Sequence, residues 1–150
     1  MTTTFAALHH FAVLTLLVCT LFTIRQLFQP FSVRRARLMS TTDMFNGIAA
    51  TLVLVIGLVR VFYFEKGSVY YFQNGPFMAK LGFYGLASIL SVFTSVEVYR
   101  WRASLRSGIL PKLSPEKMTV MRRVAALQLV CLIAMAACAN LASRGIDWKM

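Results

Sequence analysis

His9 and His10 are the only two histidines in the chain, and they stand side by side in an apolar run. Imidazole is a common ligand of haem iron, and His9 or His10 is the candidate to ligate or contact a tetrapyrrole or other redox cofactor. Such a cofactor carries carboxylates, which call for cations at the same depth. Arg60 and Lys80 each fall near one end of an apolar run, and a guanidinium can hold a carboxylate through two parallel hydrogen bonds. Tyr63, Asn140 and Arg144 complete the candidate set for binding a tetrapyrrole such as haem b or another redox cofactor. Each residue also has a plainer reading. Arg60 and Lys80 can snorkel to lipid headgroups. Tyr63, Tyr70 and Tyr71 can form an interfacial belt, and Glu65 and Lys66 can be solvated loop charges. Neighbours on a helix diverge by about 100°, so the two histidines cannot both face one ligand, and periodicity alone does not say which turns inward.

The elements that must position these groups follow from composition. Of 150 residues, 58% are hydrophobic and 14% charged, and the mean hydropathy is +0.67. A small soluble domain has too much surface for its volume to hide that much apolar area. Soluble enzyme, disordered tail and disulfide scaffold are excluded, and the lipid bilayer is the expected environment. Four runs are long enough to cross about 30 Å of hydrocarbon at about 1.5 Å per residue. The expected helices cover residues 5–28, 44–64, 77–99 and 120–143, in a single transmembrane domain spanning 1–150. No alternating pattern suggests a β-barrel. The fold class is therefore all-α, an integral membrane four-helix bundle. The first run has no basic residue ahead of it and no small-residue cleavage site after it, so it reads as a retained helix.

Sixteen Lys and Arg against five Asp and Glu give a net charge of +11. The basic residues sit between apolar runs, which argues against nucleic acid and for loops meeting anionic lipid. Arg25, Arg34, Arg35, Arg37, Arg100, Arg102, Arg106, Lys112, Lys117, Arg122 and Arg123 fall on one side of the membrane. Arg60, Lys66, Lys80, Arg144 and Lys149 fall on the other. The positive-inside rule puts both termini and the 65–76 link away from the cytoplasm. In that orientation all four helices deliver polar or basic groups to one depth in the outer leaflet.

Packing accounts for other patterns. Gly82, Gly85, Ser88, Ser91 and Ser95 read as a continuous small-residue face on the third helix, and Ala134, Ala137 and Ala142 line the fourth. Small residues allow close backbone approach in lipid. Cys131 and Cys138 lie about 10 Å apart by helical rise, too far to bond each other, and Cys19 is likewise read as a packing residue. Ser114-Pro115-Glu116-Lys117 marks a helix start.

Four segments carry a resemblance. They are Ala7-Leu8-His9-His10, the block from Gly57 through Arg60 to Tyr71, Asn74-Gly75-Pro76-Phe77-Met78-Ala79-Lys80, and Ala142-Ser143-Arg144-Gly145. Over nearly the whole chain the sequence resembles the bacterial four-helix membrane proteins of domain-of-unknown-function family 2214. That resemblance implies a multi-pass protein of the bacterial inner membrane and no particular reaction. At His9 and Lys80-Leu81 the chain also resembles haem-J-type protoporphyrinogen oxidases and the membrane domain of copper-resistance D proteins. Carried over, His9 would be a haem-ligand or redox-site histidine and Lys80 an anion-binding or proton-handling residue. Those oxidases have further histidines and a tryptophan near the lysine, where this chain has Phe77 and Met78.

Two functions of different class follow. One is a site for haem or another redox cofactor in the outer half of the bundle. The other is a non-catalytic accessory subunit or assembly factor of a larger membrane complex, or a homodimer, with the polar cap as its docking surface. A small-anion or metal transporter is disfavoured because four helices with no acidic residue in mid-membrane give little pathway for a cation. No serine, histidine and carboxylate grouping and no paired acids can be assembled at one depth, which argues against an enzyme with a protein nucleophile.

Overall fold

In a computed structural model, residues 2–64 and 71–144 are described. Among them are four long helices, α1 (Thr2–Leu27), α2 (Val33–Val59), α3 (Gly75–Arg100) and α5 (Pro115–Ser143), and the short α4 (Arg102–Arg106). There is no strand among the described residues. All four long helices are long and apolar enough to span a membrane. Phe11, Leu14, Ile89, Val92, Val130 and Ile133 point outward from the bundle, which is where a lipid-embedded helix keeps its large apolar side chains. The chain is an all-α, multi-pass membrane bundle with both ends of the described chain at the same end of the barrel of helices.

The helix starts are chemically specified. The Ser32 side chain accepts from the Arg35 N–H at the start of α2. Asn74 accepts from Phe77 N–H at 3.0 Å, and Ser114 from Lys117 N–H at 3.2 Å. α3 and α5 also carry proline in the first turn, where no intrahelical donor is lost. After α4, Gly108 takes φ +70, the left-handed turn that closes a helix, and Ile109 N–H returns to Ser104 O at 2.9 Å.

Two expectations are corrected. The second helix begins at Val33, well before Met44. Arg34, Arg35 and Arg37 therefore belong to its first turns and not to a loop. Arg37 donates to Leu105 O at 3.1 Å, and Arg35 donates to Pro30 O; these bonds let basic side chains sit at a helix start, which the helix dipole disfavours. The small-residue face of α3 is not one surface. A Cβ on Gly82 or Gly85 would meet nothing within 4 Å, so these two face away from close neighbours, while Ser91 and Ser95 turn inward to hydrogen-bond α2.

α1 packs most extensively on α2, and α3 on α5; α1 meets α5 less closely and α2 meets α3 least. The core has two apolar layers. One joins Ala12, Leu16, Ala49, Val53, Ala87, Leu132 and Met135. The other joins Leu27, Ala36, Met39, Val98, Trp101, Leu105, Met121 and Ala125 at the arginine-rich end. All three cysteines are free thiols.

Candidate functional site

The site is built at the end of the bundle that carries the termini. His9, two turns into α1, is only 7% exposed. Its ring lies against Gly57 of α2: a Cβ there would stand 3.2 Å from His9 Cε1 and 3.7 Å from Nδ1. The missing side chain is what admits the imidazole. His10 turns the other way. It is exposed, and its Nδ1 lies 2.6 Å from Ala6 O, one turn back on its own helix. The two rings stand 6.1 Å apart and nearly perpendicular.

Three residues beyond Gly57, α2 changes pitch. Arg60–Phe64 form a π-helical turn, a wider turn that is frequent at functional sites. The sequence carried no signal for it. Arg60 and Val61 line a cavity of about 380 Å³ that His9 and His10 also line. Phe77 and Lys80 enter from α3, with the Lys80 Nζ 5.6 Å from the Phe77 ring centroid. α5 closes the wall with Met135, Ala136, Ala139 and Asn140. His9, His10, Arg60, Lys80 and Asn140 are thus brought to one cavity. Tyr63 is not: it is 79% exposed and points out of the bundle. Arg144 is also exposed and does not line the cavity, although its neighbour Ser143 does. Tyr71 takes the place expected for Tyr63. Glu65, Lys66 and Tyr70 of the expected polar cap lie outside the described residues. A smaller cavity adjoins, where His9 and Lys80 meet Tyr84, whose hydroxyl donates to Ala50 O at 2.8 Å.

The Arg60-to-Lys80 region and the His9 segment lie within residues 1–147, all of which match the family described as "Predicted membrane protein (DUF2214)". The chain belongs to the DUF2214 family. No curated protein and no solved structure matches it.

Two further polar groupings in this DUF2214 protein escaped the sequence reading. Between the two apolar layers of the core, Thr20, Asn46, Thr94 and Gln128 are buried, one from each long helix. Asn46 Nδ2 donates to Ser91 Oγ at 2.9 Å, and Thr20 Oγ1 donates to Asn46 Oδ1 at 3.4 Å. Beside them Ser95 Oγ donates to Asp43 Oδ1 at 2.7 Å. Asp43 stands one residue before the second helix expected from hydropathy; in the longer α2 it lies about 15 Å from the helix start. At the arginine-rich end, Glu97 is buried beneath Lys117 Nζ at 2.8 Å and Arg100 at 3.5 Å. It also accepts from Trp101 Nε1 at 3.3 Å. The Glu97–Lys117 pair joins α3 to the first turn of α5.

Proposed function

We propose that this membrane protein binds a carboxylate-bearing redox cofactor of the haem b kind in the His9 cavity, on the non-cytoplasmic side of a bacterial inner membrane. The reading rests on one observation above all: a buried imidazole seated on a glycine shares a cavity with two cationic side chains. The donor set fits such a group. His9 offers one nitrogen ligand, and Arg60 and Lys80 suit carboxylates. The cavity volume of about 380 Å³ lies within the range of roughly 300–1,000 Å³ usual for ligand sites. Val13, Phe77 and Met135 supply apolar wall, and Ala136 and Ala139 leave room beside it.

When bound, haem would supply one-electron chemistry at its iron. The chain's own part is to hold and orient it. His9 would hold the iron through a ring nitrogen, and because His10 is turned back toward Ala6 this chain would offer a single histidine ligand. The test is a visible absorption spectrum of the protein purified from its native host. A Soret band is expected. A colourless protein that co-purifies in fixed ratio with others would replace this reading with the accessory-subunit one.

A further inference from the structure

The buried polar layer lines a further cavity, distinct from the two around His9. It has a volume of about 10 Å³ and is lined by Thr20, Thr23, Asp43, Asn46, Ser91 and Thr94, with Gln128 and Ala125 from α5. That is room for about one water-sized body. We propose that it is a binding site for a single monovalent cation, sodium in preference to potassium.

The donors are of the right kind. Hydroxyl, amide and carboxylate oxygens are hard ligands suited to hard cations, and no sulfur or imidazole lines the space. Asp43 is the sole carboxylate among the lining residues, so one monovalent ion would neutralise the layer, whereas a divalent ion would leave an excess charge in the membrane interior. Arg102, whose charge acts on Asp43, lies over the Tyr99 ring, 4.7 Å from its centroid, and makes no ion pair with the carboxylate. A second observation points to an occupant. Gln128 is 6% exposed and lines this cavity, and its amide has no hydrogen-bond partner among the described residues. The amide is in reach of whatever fills the cavity, and an ion or a water there would satisfy it. The Asp43 carboxylate approaches the smaller ion more closely and attracts it more strongly, which favours sodium over potassium.

The test is thermal unfolding of the full chain in detergent, in sodium chloride against choline chloride at equal ionic strength, with potassium chloride as a third arm. A saturable rise in melting temperature with sodium is expected, roughly 5–10 °C at a hundred times the dissociation constant, and a smaller rise with potassium. The quantity read in each variant is this sodium-dependent increment and not the absolute melting temperature. Asp43→Asn should abolish it and Gln128→Leu should weaken sodium binding at least tenfold. Should Asp43→Asn fail to fold, Gln128→Leu decides alone. Equal melting temperatures in sodium and choline would overturn the proposal and leave a water, or a proton on Asp43, as the occupant. An increment undiminished in the variants would overturn it equally.

Discussion

The imidazole of His9 and the bare backbone of Gly57 are a matched pair. A methyl group at 57 would press on Cε1 at 3.2 Å, closer than most Cβ contacts, so the ring would have to tilt or shift by a few tenths of an ångström. Gly57→Ala is therefore expected to leave the bundle folded, since alanine favours a helix interior by roughly 1 kcal/mol over glycine, while weakening retention of the chromophore. Absorbance per mole of purified protein beside the melting temperature checks this; a fall in both together would mean the change acted on the fold. The histidines separate in the same way. His9→Phe should lose the Soret band and His10→Phe should keep it, because only the first ring is buried against α2. Equal retention in both would remove the imidazoles from the site. Arg60 discriminates between a charge and a fork: Arg60→Lys should retain part of the bound cofactor and Arg60→Gln little of it. Unchanged retention in Arg60→Gln would mean that this arginine takes no part.

Helices joined at their ends behave as units, and Glu97 is where α3 and α5 are tied. Its carboxylate answers both Lys117 on α5 and Trp101 at the end of α3. Glu97→Gln removes the charge and keeps the shape, and should lower stability by roughly 1–2 kcal/mol, a value held down because Lys117 is well exposed to water. A lower melting temperature in detergent with an unchanged helical circular-dichroism signal is the expected result; no change would make the pair ornamental. The four apolar spans were legible because length and hydropathy are sufficient for a helix in lipid, and the common depth of His9, Arg60, Lys80 and Asn140 followed from counting residues inward from the ends. The early start of α2 was not legible. Arg34, Arg35 and Arg37 look like loop residues until it is known that Arg35 and Arg37 reach the carbonyls of Pro30 and Leu105. The polar layer was hidden for a related reason. Thr20, Asn46, Ser91 and Gln128 are each tolerable singly in a membrane helix, and only the register between four helices puts them at one level. The π-helical turn that carries Arg60 while Tyr63 points outward left no mark in residue types at all.

Seen whole, the protein is two helical hairpins, α1 with α2 and α3 with α5, which meet less closely along the α2–α3 seam. Both hairpins open toward the end that holds the His9 cavity. If that end lies outside the cytoplasm, a cysteine introduced at the exposed position Gln73 should react with an impermeant maleimide added to whole cells, and one at Ser107 should not. The reverse pattern would turn the molecule over and move the His9 cavity to the cytoplasmic leaflet. The opposite end carries eleven basic residues, and several are already engaged inside the protein. Arg122 Nε donates to Leu27 O at 2.8 Å, closing the last turn of α1. Arg37 does the same for α4 through Leu105 O, and Lys117 is held by Glu97. These groups act as rivets between helices, and phospholipid phosphates would have to compete with the main chain for them. The remaining surface arginines and lysines set the attraction to an anionic leaflet, so its surface potential bears on which way the protein faces more than on whether the arginine-rich end stays assembled.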